Sequence, residues 1–231
     1  AYTAVDKCET ERDSAMKVNG LGPGNLAKAA RASHARMVHV STDYVFDGKG
    51  SKPYLETDPV RPESVYGFSK LEGEKQVSEN LPHDHIIIRT SWLFGVNGPN
   101  FVETILRVAS QGNQLKIVDD QSGCPTFTRD LAWAICQLVS KDVRGIVNVS
   151  NSGTTTWYRF ARYFLDQTYP EIEVLPVTTE EFPRPAKRPT YSVLSAVKLE
   201  GILGGKMPSW ENAIDRYLEM KHPDLLEENN K

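Results

Sequence analysis

Tyr66 and Lys70 form a Tyr-x-x-x-Lys pair at the start of a segment whose pattern reads as a helix. Residues i and i+4 share one helix face, so the phenol and the ammonium can point into the same cleft. Reduction of a carbonyl by hydride transfer needs such a pair. A cation beside a tyrosine stabilises the phenolate and lowers its pKa from about 10. The phenol can then give its proton to a nascent alkoxide near neutral pH. The lysine keeps further donors for the ribose hydroxyls of a cofactor.

Alone, the pair says little, because with nine tyrosines in the chain about half a match is expected by chance. A second copy does occur, Tyr217 and Lys221, at the end of the last helical segment, where it reads as surface chemistry. Context separates the two. The apolar run Met37 to Ser41 ends in Thr42-Asp43-Tyr44, which puts a hydroxyl at the carboxyl end of a strand. Ligands of open α/β sheets bind at that edge. Tyr66 follows Thr42 by 24 residues, enough for a loop to bring the chain back to it. Thr42, Tyr66 and Lys70 can therefore converge as a proton-donating triad. The plainer alternative has Thr42 capping and Tyr66 packing.

These residues need a frame, and the pattern supplies one. Helical segments are expected at 13–33, 64–80, 100–111, 128–140, 154–168 and 209–220. Strands are expected at 37–41, 85–90, 115–118 and 146–150, with a further candidate at 171–178. Short apolar runs separated by helices of about three turns predict a parallel α/β sheet. The segment Phe182 to Pro189 carries three prolines in eight residues and reads as a rigid extended connection. The tail from Asp224 reads as frayed.

The net charge of -3 argues against a nucleic-acid partner. No apolar run approaches the roughly 20 residues of a membrane helix. Cys8, Cys124 and Cys136 lack metal-ligand spacing and read as reduced thiols of a cytoplasmic protein. His83 and His85 flank Asp84 and read as solvated loop residues, and His39 as a packed histidine. Cys124, before Pro125, reads as a buried or half-buried thiol. The aromatic run Trp157, Tyr158, Phe160, Tyr163 and Phe164 suits a core, a domain interface or a homodimer contact.

The run VHVSTDYVFDG (Val38 to Gly48), with PxxxYGxSKLEGE (Pro62 to Glu74), resembles extended short-chain dehydrogenases/reductases, and more narrowly the dTDP-4-dehydrorhamnose reductases. The blocks AYTAVDKCE (Ala1 to Glu9), RTSWLFG (Arg89 to Gly95), DDQSGCPTFTRDLA (Asp119 to Ala132) and RPAKRPTYSVLS (Arg184 to Ser195) follow in the same order. The resemblance implies Tyr66 as proton donor, Lys70 as ribose ligand and tuner of the phenol, and Thr42 as partner of the substrate carbonyl. It implies Asp43, Tyr44 and Trp92 at the sugar, and Ala1, Tyr2, Thr3 and Val40 along the cofactor. It further implies NADPH or NADH, and a dTDP-sugar ketone reduced at C4 to dTDP-L-rhamnose. Some members of that family use magnesium at a dimer interface, but no position in this sequence secures it.

The expected fold is a Rossmann-like parallel sheet lacking its first strands, with a smaller C-terminal substrate-binding region. Residues 1–98 would be the remainder of the dinucleotide-binding domain, joined by strand 146–150, and residues 99–231 mainly substrate-binding. The family opens on a glycine-rich strand–turn–helix that cradles pyrophosphate, and none precedes Ala1 here. Asn19 to Gly24 is glycine-rich but lies inside a helical segment, so its glycines serve packing or a bend. The expectation is an N-terminally truncated chain with little or no NAD(P)H affinity and no reductase activity of its own, the reduction belonging to the full-length form. Two rivals share the scaffold. One is a nucleotide-sugar epimerase or dehydratase, weakened because Tyr44 stands where a second acid would follow Asp43. The other is a non-catalytic regulatory subunit of the methionine adenosyltransferase beta kind.

Overall fold

The computed structural model describes residues 1–228, and of Glu228 its backbone only. The chain opens with α1 (Val5–Cys8), then α2 (Arg12–Ala15), a π-helical turn (Met16–Leu21) and α3 (Gly22–Ala32) in one continuous run. There follow β1 (Met37–Thr42), a 3-10 turn (Asp43–Val45), α4 (Val65–Asn80), β2 (His85–Thr90), β3 (Leu93–Phe94) and α5 (Phe101–Ala109). Next come β4 (Leu115–Val118), β5 (Ser122–Gly123), β6 (Thr126–Phe127), α6 (Thr128–Ser140), β7 (Gly145–Asn148), β8 (Thr155–Thr156) and α7 (Trp157–Thr168). The last are β9 (Val174–Val177), α8 (Val197–Leu203), α9 (Trp210–Lys221) and α10 (Pro223–Glu228).

The main sheet has the order β1-β2-β7, all parallel. His85 to Thr90 can hold its centre because every residue of β2 is buried, as an apolar strand covered on both faces must be. Its isoleucines divide between two layers. Ile87 packs with Ala27, Val77 and Leu81 of the α3 and α4 side. Ile86 and Ile88 pack with Leu131, Ala134, Leu138 and Leu199 of the α6 and α8 side. Each buried isoleucine contributes about 1.5–3 kcal/mol. A second core gathers α5, β4, α7 and α9 around Phe94, Phe160, Phe164 and Tyr217, beside the parallel pair β4 and β9.

Several local expectations are amended. The tail folds as α10 through residue 228, because Leu225 and Leu226 pack on the second core; residues 229–231 lie outside the described residues. Tyr217 is not at the surface: it is fully buried, and its hydroxyl donates to Glu103. His85 is buried too, its Nδ1 2.7 Å from the Leu81 carbonyl. Asn19 to Gly24 is helical interior, as expected, but it passes through the π turn. Helix α8 was not foreseen, since VKLEGIL carries a glycine in mid-segment. No helix among the described residues is long and apolar enough to cross a membrane.

Candidate active site

Helix α4 starts where its first amide groups find partners. The Ser64 side chain accepts from Gly67 N at 3.1 Å, and Glu9 Oε1 accepts from Val65 N at 2.9 Å, satisfying two donors that a helix start leaves open. Gly67 is required next to Tyr66, because a side chain there would collide with the Tyr44 carbonyl. The close approach sets Tyr66 against Tyr44, edge to face at 5.5 Å.

Thr42 and Tyr66 meet at the carboxyl end of β1, and Lys70 is bonded to the same strand two residues earlier. Thr42 is buried, donates its hydroxyl to Asp43 Oδ1 at 2.9 Å and accepts from Tyr44 N at 3.2 Å. Tyr66 is half-buried. Burial, and next the Asp43 charge, push its phenol up to about 12, while the Thr42 hydroxyl opposes the rise. Lys70 is buried, and its Nζ donates to the Val40 carbonyl at 2.5 Å. Burial brings this ammonium down to about 8, against the pull of the Glu74 carboxylate. The expected lowering by Lys70 does not set the phenol's pKa here: desolvation raises it, and Lys70 keeps one of its three protons on the Val40 carbonyl.

Asp43 is also buried, with Oδ2 unpartnered. Burial raises it to about 6, although the Thr42 and Ser192 hydroxyls and nearby backbone amides favour its charged form.

The segment Ala1 to Thr3 runs alongside. Tyr2 packs in one cluster with Cys8, Ala15, Val65 and Tyr66. Asn19, turned inward by the π turn, grips the Tyr2 backbone. Tyr2 N donates to its Oδ1 at 2.7 Å, and its Nδ2 donates to the Tyr2 carbonyl at 2.9 Å and to Ser69 Oγ at 3.1 Å. Ala1, Thr3 and Val40 are exposed. Lys70 has one acceptor for three protons, next to an exposed Val40 and the half-open Tyr66, so these residues fit the nicotinamide–ribose end of a dinucleotide.

Trp92 lies between β2 and β3. It holds φ at +48° and stacks on Trp157 at 3.6 Å. Gly123 is glycine because a Cβ would fall on the Trp92 indole. Trp157, rather than Trp92, lines a groove of roughly 390 Å³ that begins at Tyr44 and continues past Phe101, Lys116, Arg184 and Arg188. Composition and spacing did not single out these cations. Arg188 Nη2 donates to Asp6 Oδ1 at 2.9 Å, a contact across 182 positions that no local pattern announces; the clue was the cationic, proline-rich block itself. Among the described residues no group of three or more His, Cys, Asp or Glu side chains could hold a metal ion.

The sequence matches the family of the RmlD substrate binding domain over residues 1–222. It is 45% identical over 219 residues to the spore coat polysaccharide biosynthesis protein SpsK of Bacillus subtilis, covering 95% of this chain and 76% of that protein. It is 43% identical over 227 residues to the dTDP-4-dehydrorhamnose reductase of Sinorhizobium fredii, covering 94% and 76%. The crystal structure of dTDP-4-dehydrorhamnose reductase from Bacillus anthracis in complex with NADP superimposes with a TM-score of 0.90 at 40% identity, covering 95% and 78%.

Proposed function

Because the chain belongs to the family of the RmlD substrate binding domain, the dTDP-4-dehydrorhamnose reductases, we propose that it reduces the 4-keto group of dTDP-4-dehydro-L-rhamnose with NADPH or NADH to give dTDP-L-rhamnose. What supports this reading is the contact of Thr42 with Tyr66 at the end of β1, together with the bond from Lys70, one helical turn on from Tyr66, to the Val40 carbonyl of the same strand.

Held at its ribose by Lys70, NADPH or NADH would supply the hydride that the reduction needs. Tyr66 supplies the proton to the ketone oxygen; its high pKa keeps the phenol protonated until an alkoxide, a stronger base than phenolate, takes the proton. Thr42 donates to the same oxygen once its one hydroxyl proton turns away from Asp43 Oδ1. Lys70 holds the ribose hydroxyls with its free protons and favours the phenolate once it forms. Tyr2, fixed by Asn19, borders the cofactor together with Ala1, Thr3 and Val40. Asp43, Tyr44 and Trp92 bound the sugar. The groove past Phe101 and Trp157 suits a base, and Lys116, Arg184 and Arg188 suit a diphosphate.

In this reading residues 1–98 with β7 make the cofactor side, and residues 99–231 mainly the substrate side. Cytoplasmic residence belongs to it too, supported by three free thiols. The deciding experiment is Tyr66→Phe in the native polypeptide. Turnover should fall by about 10²–10⁴-fold with NADPH affinity retained; unchanged turnover refutes the assignment.

A further inference from the structure

One helical turn past Lys70 lies a buried charge pair. Glu74 is on α4, one turn beyond Lys70 and two beyond Tyr66, so the three share one helix face. Its side chain and that of Arg89 are only 4% and 3% exposed. Arg89 Nε donates to Glu74 Oε1 at 3.0 Å and Nη2 to Oε2 at 2.7 Å, a fork-on-fork pair. The remaining Nη1 donates to the Glu56 carbonyl at 3.2 Å, and the guanidinium lies 5.1 Å from the centre of the Phe46 ring.

Both anchors are rigid. In the β1–β2 register Arg89 stands opposite Ser41, and Thr90 opposite Thr42, so the pair bolts the helix of Tyr66 and Lys70 to the strand beside Thr42. A buried ion pair is costly to maintain where an apolar pair would pack as well. An apolar pair could also not place a compensated carboxylate one turn from Lys70.

We propose that Glu74 and Arg89 are positioning residues for the reduction, fixing α4 against the strand ends and holding Lys70 charged beside a carboxylate that Arg89 balances. The inference rests on the reductase reading for its consequence, and on geometry for its mechanism. Lys70 shares a helix face with Tyr66 and Glu74; the charges that bear on it are the Glu74 carboxylate, with Arg89 of β2 behind it, and its own charge acts on His39 of β1. Asp43, in the turn after β1, acts on Tyr66. His39 is kept neutral: burial, then the Lys70 charge, bring it down to about 3. Glu74 is thus the anion that offsets the desolvation of Lys70.

The test follows the ¹³Cε resonance of Lys70 through a pH titration of the native polypeptide. Glu74→Gln leaves Arg89 unbalanced, and the Lys70 midpoint should drop by about one pH unit. Glu74→Leu with Arg89→Met removes both charges and keeps an apolar pair that can pack; the midpoint should recover at least half of that drop. The alkaline limb of turnover should move with the midpoint in both variants. A midpoint that Glu74→Gln does not move overturns the proposal, as does a double variant as low as the single one. If Glu74→Gln does not fold, the double variant alone decides, and a drop of a full unit from wild type overturns the idea. Midpoints that shift as stated while Tyr66→Phe keeps its turnover would sink the reductase reading and leave the charge coupling standing.

Discussion

The Lys70 ammonium is bonded to the Val40 carbonyl at 2.5 Å, so the cation of the candidate site is fastened to strand β1. A side chain fixed in this way cannot swing to follow a ligand. It presents its two remaining protons from a constant position, which favours a rigid ribose contact over an adaptable one.

The first prediction concerns pH. Burial brings Lys70 to about 8 from its ordinary 10.5, so turnover should decline as pH rises through about 8. The stability effect has the opposite sign. Between about 8 and 10.5 the unfolded chain binds the proton and the folded chain does not, so the Lys70 contribution to stability rises with pH across that window. Stability measured by urea unfolding at pH 8 and pH 10, compared with Lys70→Met, should show the wild type gaining more than the variant. Equal slopes would refute it.

Arg188 lines the groove and is held by Asp6, with Nη1 buried and unpartnered. Arg188→Ala should weaken dTDP binding about 10- to 100-fold, a loss of roughly 1.4–2.8 kcal/mol. Calorimetric titration with dTDP alone checks it, without the cofactor or the reaction. Asp6→Asn should weaken dTDP less, because it loosens Arg188 but keeps its charge. Wild-type affinity in Arg188→Ala would remove the diphosphate from this end of the groove.

Gly123 sits where any Cβ would meet the Trp92 indole. Gly123→Ala should therefore part the Trp92–Trp157 stack and cost about 1–3 kcal/mol. Loss of near-ultraviolet exciton signal together with a lowered Tm would show both effects. An unchanged spectrum would mean that the stack can shift as a unit.

What was legible followed from local rules. Tyr66 and Lys70 could be paired because four residues make about one helical turn, and Thr42 could join them because a parallel strand ends where ligands bind. The isoleucines of β2 announced a strand covered on both sides. Asn19 escaped notice because its inward turn depends on a π-helical turn, which has no pattern of its own. Arg184, Arg188 and Lys116 escaped because their grouping joins chain segments that are distant in sequence. The pair Tyr217 and Lys221 reads as surface chemistry because it ends the last helix, yet Tyr217 shares the apolar side of α9 with Trp210, Ile214 and Leu218, and Glu103 satisfies its phenol.

That same carboxylate ties the end of the chain to α5, and it yields the last prediction. Glu103 receives the Tyr217 hydroxyl, stands 2.7 Å from His222 Nε2 and lies 3.0 Å from Lys221 Nζ. Burial alone would raise its pKa, but the donations from Tyr217, His222 and Lys221 bring it down to about 2. A carboxylate depressed in the folded state contributes stability that is fully present above its unfolded value near 4.5 and is lost as pH falls toward 2. Glu103→Gln should therefore flatten the dependence of Tm on pH between 4.5 and 2, and the variant should be less stable than wild type at pH 7. Hydrogen exchange should locate the loss at the end of α9, the element that Glu103 holds. A variant whose Tm still falls as steeply as wild type over that range would show that other carboxylates govern the acid limb.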